Sequence, residues 1–341
     1  MDPRPIRVSV FGKTDLGRAR EHNEDTFLVA DLTAGNASLQ PDVREHEVGS
    51  RGSLFMVADG MGGAAAGEVA SAMAADLIYQ HLLTTWAQDA EPSAQHFALR
   101  MREAVELANQ RIHSYAQEHP EAHGMGTTAT VAGVYASDLY LAQIGDSRGY
   151  LVRAGRAIQL TKDQSLMQRL VDAGEITEEE AKQSERRNII LQALGPDPRV
   201  KVDLTYQPLA RGDTLVICSD GLSGLVNRDE IAALTGQHED LARLCGTLVD
   251  LANERGGPDN ITVVAARFSG EGLPEPHPES PVRYQAFPFL DDDTPTEPLP
   301  AARVAPSAIA APHVRRPPRV LAVGIVVILL ALAALAFALA R

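Results

Sequence analysis

The chain has 341 residues, of which 45% are hydrophobic and 22% are charged, a balance typical of globular proteins. Its formal net charge of −14 argues against nucleic acid as a partner, because phosphate backbones bind basic surfaces. The two cysteines, Cys218 and Cys245, lie in apolar segments far apart in the sequence. This placement predicts two buried, reduced thiols rather than a disulfide or a nucleophile.

Residues 1–270 contain many short segments with the alternating or continuous apolar patterns of β-strands. In chain order, the predicted strands are Ile6–Phe11, Asp25–Ala30, Leu54–Ala58, Ala129–Tyr135, Leu139–Ile144, Gly149–Val152, Val200–Tyr206, Thr214–Cys218 and Ile261–Arg267. Helical periodicity is clearest in Ala64–Trp86, Ala94–Ala116 and Leu241–Glu254. Many short strands with helices in pairs predict an α+β protein with packed antiparallel sheets.

Residues 271–319 differ from the rest in composition. They contain 12 of the 21 prolines and the run Asp291-Asp292-Asp293. Such a stretch buries too little apolar surface to offset the entropy lost on ordering, which predicts a proline-rich disordered linker. Its one patch with enough apolar residues to dock on a protein surface is Phe287-Pro288-Phe289-Leu290.

Residues 320–340 form an uncharged run rich in Leu, Ala, Val and Ile. A helix of this length spans the roughly 30 Å hydrocarbon core of a bilayer. Arg315, Arg316 and Arg319 precede the run, and only Arg341 follows it. The excess of positive charge on the N-terminal side predicts a single-pass C-terminal anchor in the cytoplasmic membrane, with residues 1–270 in the cytoplasm.

Four short acidic motifs are spread over the first 260 residues, and Arg20 stands just ahead of the first. They are Asn23-Glu24-Asp25, Asp59-Gly60-Met61-Gly62-Gly63, Ser219-Asp220-Gly221 and Pro258-Asp259-Asn260. Three of the carboxylates, those of Asp59, Asp220 and Asp259, stand next to predicted strands, which can hold them rigidly. Hard divalent cations prefer oxygen ligands, and an arginine nearby favours a phosphate as the guest.

The order of these motifs resembles the metal-dependent serine/threonine protein phosphatases (the PPM, or protein phosphatase 2C-like, family) in their bacterial form. The resemblance covers roughly Val8 to Phe268. It includes Asp15-x-Gly17-x-x-Arg20, Gly126-Thr127-Thr128 and Gly145-Asp146-Ser147-Arg148, and residues 170–181 and 187–195, which look like the family's flap. It implies a four-layer α-β-β-α sandwich, with two antiparallel sheets flanked by helices.

The resemblance also implies roles for single residues. Asp59 would bridge two divalent cations, Mn(II) or Mg(II), and the Gly60 carbonyl would bind one of them. Asp220 and Asp259 would complete the shell of the other cation, while Glu24 and Asp25 would reach the first directly or through water. Arg20 would clamp the phosphate. For Asp146 two interpretations stand, a ligand of a third, weaker cation or a hairpin-turn aspartate.

The activity implied is hydrolysis of phosphoserine and phosphothreonine by a hydroxide that bridges the two cations. The implied partners are phosphorylated proteins, above all membrane-anchored serine/threonine kinases and their substrates, and the catalytic domain would be monomeric. The alternative from another class is a pseudophosphatase, a membrane-tethered module that binds phosphoproteins without turnover. Intact ligand positions at Asp59, Asp220 and Asp259 favour the enzyme.

Two positions depart from the family's pattern. Met61 stands where many animal and plant relatives have histidine after Asp-Gly, and a thioether cannot donate a proton to the leaving group. In the flap, Thr161-Lys162-Asp163-Gln164-Ser165 has glutamine where the bacterial sequence has histidine. The first change leaves the general acid open, and the second bears on substrate preference.

Overall fold

Two antiparallel β-sheets form the centre of the protein in a computed structural model, which describes residues 5–62, 66–277 and 281–289. The first sheet has the strand order β10-β9-β12-β13-β1-β4. Its strands are β1 (Arg7–Asp15), β4 (Glu45–Glu47), β9 (Arg148–Arg153), β10 (Arg156–Gln159), β12 (Thr214–Cys218) and β13 (Ile261–Ser269).

The second sheet has the order β11-β8-β7-β5-β2-β3, and a short strand β6 pairs with β5. Its strands are β2 (Asp25–Asp31), β3 (Asn36–Ala37), β5 (Ser53–Met61), β6 (Gly126–Thr127), β7 (Ala129–Tyr135), β8 (Asp138–Ile144) and β11 (Asp203–Pro208). The helices are α1 (Pro41–Arg44), α2 (Ala66–Thr84), α3 (Ala94–Glu118), α4 (Leu166–Asp172), α5 (Glu178–Gln183), α6 (Asp220–Ser223), α7 (Arg228–Gln237) and α8 (Leu241–Glu254), with a 3₁₀ turn at Pro120–Ala122.

Strand β5 shows how the layers stack, because side chains alternate between the two faces of a strand. Leu54 and Met56 pack in the core between the second sheet and helices α2 and α3. Phe55 and Val57, on the other face, pack in the core between the two sheets. A third core lies between the first sheet and helices α7 and α8. The described residues therefore form the predicted α-β-β-α arrangement with two antiparallel sheets.

The predicted elements recur with small shifts of boundary. Strand β11 begins at Asp203, three residues later than predicted, and α2 ends at Thr84 rather than Trp86. Sequence periodicity missed α7, which is capped by Asn227 and Glu230 and buries few apolar side chains. Cys218 and Cys245 are both buried and free, as predicted.

The C-terminal part of the chain is described only as far as residue 289. Residues 281–289 lie against β11, and Phe287 and Phe289 pack on the core of the second sheet. These contacts fall within the range 271–319 predicted as a linker. Among the described residues, no helix has the length and apolar character needed to cross a bilayer. The predicted membrane span, residues 320–340, lies outside the described residues.

Candidate metal centre

Two carboxylates meet where β2 and β5 run side by side. The antiparallel register pairs Asp25 directly with Asp59, so the two side chains stand on the same face of the second sheet. Asp25 is 8% exposed. The backbone of Asp59 is fixed on its other side, since its N–H donates to Thr128 Oγ1 at 2.9 Å and its carbonyl accepts from Thr128 N–H at 2.8 Å. Both carboxylates are thus held by rigid strands.

Two further carboxylates are delivered by the first sheet. Asp220 begins α6 directly after β12, and Asp259 precedes β13. Strands β12 and β13 are paired, and Ser219 N–H donates to the Thr262 carbonyl at 3.1 Å. The two aspartates therefore lie at the same end of this strand pair. These strand ends, from both sheets, carry the acidic motifs that the sequence predicts to bind divalent cations, and the space between them is called the cleft below.

The pKa values show how closely these groups lie. Burial, followed by repulsion from Asp25, Asp220, Asp146 and Asp259, raises the pKa of Asp59 well above its ordinary value. Burial, and then repulsion from Asp259, also raises the pKa of Asp220, while a hydrogen bond with Asp59 opposes that rise.

Asp25 and Asp146 complete the acidic group. Burial, with repulsion from Asp220 in both cases, raises the pKa of each to about 7. In the described part of the chain, Oδ1 of Asp25 and Oδ1 of Asp146 are buried without a hydrogen-bond partner. Buried carboxylate oxygens that repel one another and lack donors suit a divalent cation.

The described side chains do not form a complete ligand shell for a metal ion. Across residues 5–62, 66–277 and 281–289, no group of three histidine, cysteine or acidic side chains stands ready to hold one ion. The fit to cations therefore rests on the shared repulsion and on the unpartnered oxygens of Asp25 and Asp146. Five aspartates from both sheets contribute to it, namely Asp25, Asp59, Asp146, Asp220 and Asp259.

Glu24 lies at the rim of the cleft and already has a partner. The backbone N–H of Gly67, in the first turn of α2, donates to its carboxylate, and burial raises the pKa of Glu24. A Cβ at Gly67 would lie 2.8 Å from the Glu24 side chain. Gly60 is equally confined, because a Cβ there would lie 2.2 Å from the Gly67 carbonyl. Glu24 thus accepts a hydrogen bond from the first turn of α2, and its role as a metal ligand stays a prediction.

Arg20 projects over the same edge from the loop between β1 and β2. Its Nη2 donates to Asp259 Oδ2 at 2.8 Å, and its side chain is 49% exposed. This hydrogen bond raises the pKa of Arg20, which also feels the negative charges of Glu24 and Asp59. An exposed guanidinium beside the acidic cleft is suited to bind a phosphate oxygen from solvent.

The turn that carries Asp146 is tied to the flap. Gly145 N–H donates to Gln164 Oε1 at 2.9 Å, and Gln164 N–H donates to the Gly145 carbonyl at 2.9 Å. Arg148 forms a bidentate pair with Asp163, at 3.0 Å from Nε and 2.7 Å from Nη2. Gln164, one of the two departures from the family pattern, therefore has a structural role that needs no ionisable ring.

Two supporting residues were not singled out from the sequence. Ser219 Oγ donates to Asp25 Oδ2 at 2.8 Å and accepts from Thr262 N–H at 3.0 Å. Asn260 Nδ2 donates to the carbonyls of Leu16 and His22, each at 3.0 Å, and its Oδ1 accepts from Glu24 N–H at 2.9 Å. One buried amide thus holds both ends of the loop that carries Arg20. The only sequence signal for either residue is that it adjoins an aspartate predicted to bind a cation.

Comparison with known proteins agrees with this fold. The family model for protein phosphatase 2C matches residues 35–254. The serine/threonine phosphatase stp of Listeria welshimeri is 38% identical over 253 residues, which are 74% of this chain and 92% of that protein. PstP of Mycobacterium tuberculosis, a serine/threonine protein phosphatase, is 41% identical over 254 residues, which are 74% of this chain and 44% of that protein.

A solved structure gives the same result. The crystal structure of the catalytic domain of PstP in complex with two manganese ions superposes with a TM-score of 0.63 at 35% identity, covering 77% of this chain and 99% of that one. The chain belongs to the protein phosphatase 2C family, in its bacterial serine/threonine branch. The family predicted from the sequence is confirmed.

Proposed function

We propose that this protein is a metal-dependent serine/threonine phosphatase that hydrolyses phosphoserine and phosphothreonine in proteins at the cytoplasmic face of a membrane. Membership of the protein phosphatase 2C family supports the reaction class. The observation that carries the proposal is the cluster of mutually repelling aspartates from both sheets, centred on Asp59. Such a cluster is costly to the fold unless cations compensate it.

Two divalent cations, Mn(II) or Mg(II), are the cofactors of this family, and the PstP structure with two manganese ions supports them. Asp59 would hold both ions and the Gly60 carbonyl one of them. Asp220 and Asp259 would complete the shell of the other, and Glu24 and Asp25 would reach the first directly or through water. Asp146 would serve a third. When bound, the cations neutralise charge on the phosphoryl group and make water a stronger acid.

The protein's own residues then bind and orient the phosphoester. The exposed guanidinium of Arg20 can donate two hydrogen bonds to phosphate oxygens while it stays at the rim of the cleft. Asn260 holds the Arg20 loop and thereby fixes the direction from which the phosphate enters. Met61, at the end of β5, cannot protonate the leaving oxygen of the phosphoester. That oxygen then takes its proton from water.

Membrane attachment and the kinase partners are parts of this proposal that rest on sequence. The uncharged run at residues 320–340, preceded by three arginines, supports a span with the catalytic domain on the cytoplasmic side. Confinement to the membrane raises the effective concentration towards membrane-bound kinases and their substrates. Cell fractionation should recover the full-length protein in the membrane fraction, and a variant lacking residues 320–340 in the soluble fraction.

The reaction is tested with phosphopeptides. The full-length protein should release phosphate from phosphoserine and phosphothreonine peptides when Mn(II) is present, stop when EDTA is added, and recover when Mn(II) is restored in excess. A matched phosphotyrosine peptide serves as the control substrate and should react far more slowly. Binding of phosphopeptides without phosphate release under any metal condition would establish the pseudophosphatase instead.

A further inference from the structure

Residues 281–289 run along the free edge of the second sheet and form one antiparallel β-bridge with it. Tyr206 N–H donates to the Gln285 carbonyl at 3.0 Å, and Phe287 N–H donates to the Leu204 carbonyl at 2.9 Å. Between them, Thr205 and Ala286 form an antiparallel bridge. Strand β11 is the outermost strand of this sheet, so these bonds occupy backbone groups that an edge strand otherwise leaves unpaired.

The side chains of this segment alternate as those of a half-buried strand do. Gln285, Phe287 and Phe289 are half-buried, while Tyr284, Ala286 and Pro288 are exposed. Proline lacks a backbone N–H and is found on edge strands, and Pro288 occupies such a position. The pattern is therefore that of a strand built for this edge.

An aromatic cluster receives the buried face. The ring centroid of Phe287 lies 5.7 Å from that of Tyr140 and 5.6 Å from that of Tyr206. Phe289 follows at 5.2 Å from Phe287, and the guanidinium of Arg102 lies 4.2 Å from its ring centroid. Separations of this size are typical of favourable aromatic and cation–π contacts.

Polar contacts fasten the segment along its length. Tyr284 Oη donates to Asp203 Oδ2 at 2.6 Å, and Arg283 N–H donates to Gln207 Oε1 at 3.1 Å. Gln95, on helix α3, donates through Nε2 to the Pro288 carbonyl at 3.1 Å. The segment is thus bound both by the sheet edge and by α3.

We propose that the edge of β11 and the adjoining surface of α3 form a strand-addition site whose ligand is the chain's own segment 281–289. Strand addition gains affinity from main-chain hydrogen bonds and specificity from pockets for alternate side chains, and both are present here. The segment is joined to the domain through the eleven residues 270–280 after β13, so its effective concentration at the site is high.

Hydrogen exchange on the full-length protein tests this assignment, because the Tyr206 amide is bonded only to the segment. In Phe287→Ala/Phe289→Ala, the Tyr206 amide should exchange on the order of 10- to 100-fold faster, while amides of β5 and β7 keep their protection. Tyr284→Phe, which removes a single hydrogen bond at an exposed side chain, is the matched control and should change exchange little. Equal protection of Tyr206 in the wild type and the double variant would overturn the proposal.

A second variant keeps the test decisive if Phe287→Ala/Phe289→Ala fails to fold. Gln95→Ala/Arg102→Ala removes only the contacts from α3 and should open the same amide by a smaller factor, with phosphoester turnover unchanged. No effect of this variant on Tyr206 would also count against the site. Protection of Tyr206 that falls on dilution of the protein would assign the bound strand to a second copy and overturn the assignment to the same chain.

Discussion

The guanidinium of Arg20 donates a hydrogen bond of 2.8 Å to the carboxylate of Asp259, which joins the proposed phosphate-binding residue to a proposed metal ligand. A guanidinium has five N–H donors in a rigid fork, so one bond to Asp259 leaves others for a phosphate. Asp259 therefore orients Arg20 and leaves its other N–H donors available for a phosphate. Phosphate binding and the metal ligands are linked through this contact.

Replacement of Arg20 should weaken phosphate binding more than the chemical step. We expect Arg20→Ala to raise KM for a small phosphoester by roughly tenfold or more, since a charge-assisted hydrogen bond contributes about 1.5–3 kcal/mol. Arg20→Lys keeps the charge but loses the forked pair of donors, so its KM should lie between those of the wild type and Arg20→Ala. Steady-state kinetics with saturating Mn(II) measure this. An unchanged KM in Arg20→Ala would refute the assigned role.

Replacement of Asn260 should impair activity through the position of the Arg20 loop. Asn260→Ala leaves the carbonyls of Leu16 and His22 and the N–H of Glu24 without their amide partner, at a cost of about 0.5–1.5 kcal/mol for each lost hydrogen bond. We expect a clear loss of thermal stability, a higher KM and partial rescue in Asn260→Asp, which keeps the acceptor for Glu24 N–H. Thermal denaturation and kinetics report the two effects.

A matched control separates position from stability. Asn227→Ala removes the cap of α7, which bonds the backbone of Asp229 and Glu230 rather than a residue of the metal centre, at a cost of about 1 kcal/mol. It should lower stability while leaving KM as in the wild type. If Asn260→Ala loses stability but keeps the wild-type KM, the amide supports the fold only.

The sequence predicted the layers and the acidic cleft, but not the contacts that tie them together. Apolar alternation located β5, β12 and β13, and the motifs at their ends located Asp59, Asp220 and Asp259. The hydrogen bonds from Ser219 to Asp25 and from Asn260 to Leu16 join residues 194 and 244 positions apart, which no local pattern reveals. The sequence predicted that Phe287-Pro288-Phe289-Leu290 could dock on a protein surface, and Phe287 and Phe289 do pack on the core of the second sheet. The bridge of this segment to β11 was not predicted, because its prolines and charged neighbours outweigh a short apolar alternation.

Metal-free protein should lose stability as the pH rises. The pKa of Asp25 and of Asp146 is about 7 in the folded protein against an ordinary 3.8, and the pKa of Asp59 is also raised. Between these values the folded state binds protons that the unfolded state releases, so the free energy of unfolding falls as pH rises from about 4 through 7. Thermal denaturation in EDTA at pH 5, 6, 7 and 8 measures it.

The same experiment has two internal controls. Mn(II) should raise the melting temperature more at pH 8 than at pH 5, because cations bind the ionised carboxylates and displace protons. Asp59→Asn in EDTA should show a flatter pH dependence than the wild type. A melting temperature in EDTA that rises between pH 5 and pH 8 would contradict the assigned direction of the pKa shifts.

The position after Asp-Gly should be dispensable for proton transfer. Met61→Leu keeps the apolar bulk at the end of β5 and removes only the sulfur, so kcat should stay within about twofold of the wild type. The pH–rate profile should also be unchanged, since neither side chain titrates. A fall in kcat of more than about tenfold in a folded Met61→Leu protein would show that the thioether has a role in the reaction.

The measurement that bears most directly on the metal centre is the turnover of a phosphothreonine peptide by Asp59→Asn with saturating Mn(II). Asp59 is paired with Asp25 across two neighbouring strands and is repelled by four carboxylates, of which Asp25 is one. Its loss should therefore remove the centre of the cation site. We expect turnover to fall by at least about 100-fold. Asp250→Asn, at an exposed carboxylate on α8, is the matched control and should retain full activity. Full turnover by a folded Asp59→Asn protein would contradict a catalytic centre built on this aspartate.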